Sequence, residues 1–300
     1  MMETPMDHIV AVIVAAILGA AVGFSVTYLF NILPESWLQD YGYDEKAPDF
    51  RLAKRMKLMP HGLISAIFCT AAYVSTVVSL YSRYFAVFRP LHICVILLLV
   101  PVVVIVMMSD RLNRIIPDEC SLFILILGIL GCVGDVTEKT YWFSNDAGWY
   151  IPILNRVIAM VAGYGLLWII NFLCVTFLGK EGMGQGDMKL LGACGFLVGC
   201  YGIIVLLYVG FVSALFFAIP LFIRKRIRIA KEKKEIAGSE DPAAKRREIA
   251  IAKKNMHFAD DPDYLAFGPF LAFGAVVYLV FEGFFYWHLI GFFIISGLTF

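Results

Sequence analysis

Two stretches of this chain carry a carboxylate where an apolar run gives way to polar residues: Ser109-Asp110-Arg111-Leu112-Asn113-Arg114-Ile115-Ile116-Pro117-Asp118 and Gly182-Met183-Gly184-Gln185-Gly186-Asp187-Met188-Lys189. An ionisable side chain at or near membrane depth is costly enough to be a functional hypothesis by default. Two carboxyls at a shared site cannot both ionise readily, so one keeps its proton while the other stays charged. The charged one can take a proton from water attacking an amide carbonyl, and the protonated one can donate toward the carbonyl oxygen and then the leaving nitrogen. Such a pair titrates as a unit, so neither Asp110 nor Asp187 is assigned as the acid or the base. This chemistry needs no metal.

The glycines fit it. Gly182, Gly184 and Gly186 remove side chains from three alternate positions and let backbone approach a substrate strand closely. Irregular backbone at membrane depth is tolerated only where protein or a water-filled cavity satisfies its polar groups, which implies a cleft. Asp187 also precedes an apolar helical run, whose positive dipole end favours the ionised carboxylate. On these residues alone two other readings stay open: Asp187 as a plain helix cap beside an ordinary turn, and the two acids as parts of an ion pathway.

The elements that must position these groups are membrane helices. Hydrophobic residues fill 60% of the 300 positions and charged ones 16%, and the apolar runs approach or exceed the roughly 20 residues that a spanning helix needs. The expected fold is all-α, a single membrane domain over 1–300 with about eight spans near 8–31, 62–82, 90–108, 118–136, 151–178, 188–201, 203–223 and 265–283. Gly199-Cys200-Tyr201-Gly202 reads as either a tight turn or a kink in one long helix, and the apolar tail 284–300 is compatible with crossing, re-entering or lying on the surface. The first apolar run is long and lacks a basic flank, so it reads as a retained helix.

Orientation follows from lysine and arginine, which cytoplasmic loops retain. Loops 32–61, 109–119, 179–189 and 224–264 together hold 21 of the 25 basic residues, so both carboxylates are expected to face the cytosol. The opposite loop carries Tyr141, Trp142, Trp149 and Tyr150, as an interfacial aromatic belt would. Residues 224–263 form a basic insertion that reads as two helices broken at Gly238-Ser239-Glu240-Asp241-Pro242; it is either a solvated hairpin or a surface for anionic headgroups or a partner protein. The net charge of +1 averages a basic inner face with a neutral or acidic outer one.

Asp110 with Pro117 and Asp118, followed by the glycine-rich run ending in Asp187-Met188-Lys189-Leu190, resembles the two signatures of the type IV prepilin peptidases, G-x-G-D membrane aspartic endopeptidases. Phe267-Gly268-Pro269-Phe270-Leu271-Ala272 is similar to the segment with which that family enters a late span. The three stretches lie in the family's order, and the resemblance covers about 103–280. It implies cleavage of a short basic leader from type IV prepilins or pseudopilins at the cytosolic side of a bacterial inner membrane, in pilus assembly or protein secretion. It also implies Asp110 and Asp187 as the catalytic pair. Gly182, Gly184, Gly186, Lys189, Pro117, Gly268 and Pro269 would then bind substrate or shape the site, although Lys189 also reads as a snorkelling anchor and Pro117 as a helix starter. The implied partners are the prepilin substrates and the lipid bilayer, with no nucleic acid.

The N-terminal third departs from longer members of the family. Thr27 and Ile32 stand where asparagine and arginine are usual, and the cytosolic cysteine pairs are missing. Many such relatives also methylate the new N-terminus with S-adenosylmethionine. The loop 34–61, which replaces their N-terminal cytosolic region, is the candidate for that task but shows no cofactor-binding pattern, so methyl transfer is not expected here; S-adenosylmethionine would be needed only for it, and proteolysis needs no cofactor. Seven scattered cysteines and five isolated histidines offer no metal-binding spacing, and Asp260, Asp261 and Asp263 read as solvated acids. Two rivals remain. One is a presenilin-like intramembrane protease, whose other aspartate belongs mid-span beside a tyrosine. The other is an ion-coupled transporter, which would place its acids at the midplane.

Overall fold

A computed structural model describes residues 5–39, 51–82, 89–138, 140, 142, 148–179, 182–239, 241–254 and 265–295. Among them every regular element is helical. The helices are α1 (Pro5–Ile32), α2 (Leu63–Leu80), α3 (Pro90–Asn113), α4 (Asp118–Thr137), α5 (Tyr150–Leu178), α6 (Gln185–Ala237), α7 (Pro242–Lys254), α8 (Gly268–Val280) and α9 (Glu282–Ile295). Their boundaries follow local chemistry. Pro90 opens α3, where a missing N–H costs nothing. Asp118 and Glu119 sit in the first turn of α4, at the positive end of its dipole.

α6 packs against α4, α5 and α8, and α3 packs against α4 and α8. Leu99, Val100 and Val103 of α3, Leu190, Leu191 and Cys194 of α6, and Leu271, Ala272 and Ala275 of α8 are fully buried where these helices meet. α1 and α2 form a hairpin leaning on α3, with Gly19 and Gly23 closely apposed to Thr70 and Ala66. Small residues permit this proximity, as in other membrane helix pairs.

Within α6 the chain doubles back. Gly199 has φ +74° and ψ −179°, a conformation reserved in practice for glycine. A Cβ on Gly163 of α5 would touch both the Leu191 carbonyl and the Ile203 side chain. In a straight helix those two residues would lie about 18 Å apart along the axis, so the chain reverses at Gly199 and the tight-turn reading is the one that holds. Arg156 of α5 secures the reversal by donating to the carbonyls of Phe196, at 3.0 Å, and Leu197.

The count of eight spans is not confirmed. Among the described residues six helices are long and apolar enough to cross a membrane, or seven if Gly268–Val280 and Glu282–His288, bent by 79°, count as one. That count takes α6 once, although the expected spans 188–201 and 203–223 are its two limbs on either side of the reversal at Gly199. Its first limb, 185–198, is only about 21 Å long. In the basic insertion, 224–237 continue α6 and α7 follows after a short break; Asp260, Asp261 and Asp263 lie outside the described residues. Of the expected aromatic belt, Trp149 and Tyr150 are exposed and Trp142 stacks on Tyr201, while Tyr141 lies outside the described residues.

Each end of the bundle is pinned by polar contacts. At one end, buried Arg89 pairs with Glu282 at 2.7 Å and Asp135 at 2.9 Å, and Arg156 pairs with Asp135 at 2.6 Å. At the other end the segment 51–57 is strapped down. Asn31 holds both the N–H and the carbonyl of Met56, each at 2.9 Å, and Asn113 at the end of α3 holds those of Lys54 at 2.7 and 3.2 Å.

Candidate active site

Asp110 lies in the last turn of α3 and Asp187 in the first turn of α6, both buried. α3 stops just past Asp110 because Arg114 adopts a left-handed conformation, φ 60°. That conformation costs a non-glycine residue roughly 1–2 kcal/mol. The Arg114 N–H donates to the Asp110 carbonyl at 3.0 Å, and the Ser109 hydroxyl donates to the Ile115 carbonyl at 2.7 Å. The turn so fixed swings Ile116 back over the site before Pro117 leads into α4.

The two carboxyls meet at Gly268. A Cβ on that residue would lie 2.9 Å from Asp110 Oδ2, 3.3 Å from Asp187 Oδ1 and 2.6 Å from Ile116 Cδ1. The two oxygens are therefore no farther apart than the first two of those distances laid end to end. The backbone N–H of Gly268 faces both carboxyl groups and that of Gly184 faces Asp187. Even so, Asp110 Oδ2 and Asp187 Oδ1 make no well-formed hydrogen bond within the protein. Buried oxygens are normally satisfied, so a pair left open side by side is suited to holding reactants. Only a residue without a side chain fits at the N-terminus of α8, and Pro269 then fixes the first turn of that helix.

The residues expected from sequence divide into two groups. Asp110, Asp187, Gly184, Gly186 and Gly268 converge. A Cβ on Gly184 would stand 3.6 Å from Asp187 Oδ2, and one on Gly186 would stand 3.2 Å from Ile116 Cβ. Lys189 points elsewhere and pairs with half-exposed Asp118 at 2.6 Å. Pro117 serves the start of α4, its carbonyl accepting the Cys120 N–H at 3.1 Å. Gly182 lies against Cys174 of α5, and its N–H, like that of Met183, donates to Asn171 Oδ1, at 2.9 and 3.2 Å. Sequence reasoning passed over Ile116 and Asn171. Ile116 gave no signal, whereas Asn171 is an amide within an otherwise apolar span and could have been found on that ground. Among the described residues no three His, Cys, Asp or Glu side chains converge as a metal site would require.

Comparison with known proteins bears on the same segment. Residues 97–219 match the model of the type IV leader peptidase family. The prepilin leader peptidase/N-methyltransferase of Aeromonas salmonicida is 36% identical over 121 residues, 40% of this chain and 37% of that protein. Its namesake from Neisseria gonorrhoeae is 31% identical over 116 residues, 39% of this chain and 36% of the relative. That from Escherichia coli K12 is 26% identical over 202 residues, 66% of this chain and 80% of the relative. The match thus spans little more than a third of the length of the first two. No solved structure matches. Gly268 lies beyond the segment matched to the family model, yet it completes the site built by Asp110 and Asp187 within it. Residues 97–219 are thus similar to the type IV leader peptidase family, and the two carboxylates of the site fall inside that similar segment.

Proposed function

We propose that the protein is a membrane aspartic endopeptidase that removes the leader of type IV prepilins or pseudopilins, with Asp110 and Asp187 as its catalytic pair. The observation that carries this reading is their convergence at Gly268, each with one buried oxygen that makes no well-formed hydrogen bond within the protein. The pair shares one proton. The ionised carboxyl takes a proton from water as its oxygen attacks the scissile carbonyl, and the protonated carboxyl donates to the carbonyl oxygen. The tetrahedral adduct collapses as the amide nitrogen leaves with a proton, freeing the leader's carboxyl end and the mature protein's amine. The glycines at 184, 186 and 268 leave room for an extended strand beside the pair, and such positioning supplies much of the rate.

The site end of the bundle faces the cytosol of a bacterial inner membrane in this reading. It bears Arg51, Lys54, Arg55, Lys57, Arg111 and Arg114 together with the basic helices 224–237 and α7, whereas Arg89 and Arg156 at the opposite end are buried in ion pairs. That asymmetry is the one cytoplasmic ends show. Methyl transfer is not part of the proposal. In the loop 34–61, Glu35 and Arg55 pair at 2.5 Å and Gln39 donates to Glu35 and to the Arg51 carbonyl, so these groups fasten the strap; residues 40–50 lie outside the described residues.

The test is co-expression with a prepilin, following the leader by gel shift. Wild type should process the substrate, while Asp110→Asn and Asp187→Asn, accumulating to the same level in the membrane, should not. Full processing by either variant would reject the pair.

A further inference from the structure

The approach to Asp187 lies below the end of the helix that precedes it. α5 runs past Asn171 for seven more residues to Leu178, about 10 Å. Of these, Phe172, Leu173, Val175, Phe177 and Leu178 are exposed and apolar. The chain then returns, so that Gly182 sits against Cys174 and the Gly182 and Met183 amides reach Asn171. α6 overhangs the site in the same way. Phe211 packs on Phe267, next to Gly268, and the helix continues through exposed Phe216, Phe217, Ile219, Phe222 and Ile223, about 18 Å farther. Two apolar helix ends thus project beyond the carboxyl pair, and the segment 182–184 lies inside the layer they define.

Backbone N–H groups at such a depth must be satisfied by protein, and an amide side chain in an apolar span is costly without a partner. Asn171 meets both demands with one oxygen, which accepts from two successive amides. The next residue is Gly184, whose N–H faces Asp187. A short mechanical chain therefore runs from Asn171 through 182–184 to the carboxyl.

We propose that Asn171 is a positioning residue: it holds the glycine segment folded down along α5 and thereby sets Asp187 opposite Asp110. The inference rests on the peptidase reading. Replacing Asn171 by leucine keeps the helix apolar and removes the acceptor, whereas aspartate keeps an acceptor oxygen at the same reach.

The experiment measures prepilin cleavage by purified wild type, Asn171→Leu, Asn171→Ala, Asn171→Asp and Asp187→Asn. In the same samples, mass spectrometry follows N-ethylmaleimide addition at Cys174, which the segment covers, with exposed Cys94 as the internal reference. In Asn171→Leu and Asn171→Ala, kcat should fall at least tenfold with KM changed less than threefold, and Cys174 should label several times faster. Asn171→Asp should recover most of the rate and keep Cys174 protected. Wild-type cleavage in the leucine and alanine variants overturns the proposal. So does lost cleavage with Cys174 still protected, or an aspartate variant as impaired as the leucine one. Should leucine prevent folding, the alanine and aspartate variants decide by the same readings. Cleavage surviving in Asp187→Asn would instead refute the peptidase assignment itself, so the two failures are distinguishable.

Discussion

A single methyl group at position 268 should disable the site while leaving the bundle standing. In Gly268→Ala the new Cβ would lie 2.9 Å from Asp110 Oδ2, 3.3 Å from Asp187 Oδ1 and 2.6 Å from Ile116 Cδ1. Ordinary contact begins near 3.4 Å, so the Asp110 carboxyl must retreat by roughly half an ångström and the tip of Ile116 by more. Ile116 is itself buried in the core, so its tip has little open space to move into. Displacement of reacting groups by about 1 Å costs on the order of a hundredfold in rate, so kcat for leader cleavage should fall roughly ten- to a hundredfold. Overpacking of this kind costs about 1–3 kcal/mol of stability, which a bundle of this size should survive. Cleavage of a purified prepilin, quantified by gel shift alongside thermal unfolding in detergent, gives both numbers. Adding Ile116→Val removes the clashing Cδ1 but not the clash with the carboxyls, so the double variant should regain stability and remain slow. A fully folded Gly268→Ala enzyme that cleaves at the wild-type rate would refute the claim that both carboxyls close on this glycine.

Other substitutions separate the site from its scaffold. Gly199→Ala forces a side chain into a glycine-only conformation against Asn155 and should cost at least about 1–3 kcal/mol, read as a lower unfolding midpoint; an unchanged midpoint would count against the reversal of α6. Asp135→Asn leaves Arg156 and Arg89 short of a buried partner and should destabilise by about 3–5 kcal/mol in denaturant titration, an effect under 1 kcal/mol being the contrary result. Asp118→Asn breaks an exposed pair with Lys189 and should change stability by less than about 1 kcal/mol with leader cleavage near wild type. Abolished cleavage in that variant would make Asp118 part of the chemistry.

Much of this arrangement was legible in the order of residues. Apolar run lengths mark most helices, and a carboxylate at an apolar boundary marks Asp110 and Asp187, because burying a charge without purpose is too costly. The reversal at Gly199 was visible only as an ambiguity, since a glycine between two apolar runs fits a kink as well as a turn until the residues packed against it are known. Gly268 stood out through its resemblance to a known segment, but its contact with both carboxyls depends on how α8 packs on α3 and α6. Arg89, Asp135, Arg156 and Glu282 were the least legible. Each looks like an isolated loop or span-end charge, and only the assembled bundle brings them into one buried network.

The central claim is that two acids 77 positions apart share one pocket, and proximity can be measured without reference to activity. Cysteines placed at 110 and 187, in a chain whose seven native cysteines are replaced, should be joined within one molecule by a short bifunctional thiol reagent. Peptide mass spectrometry would then find the segment around 110 linked to the segment around 187. If both cysteines react singly with the reagent and no linked peptide forms, the carboxyls do not meet and the account fails.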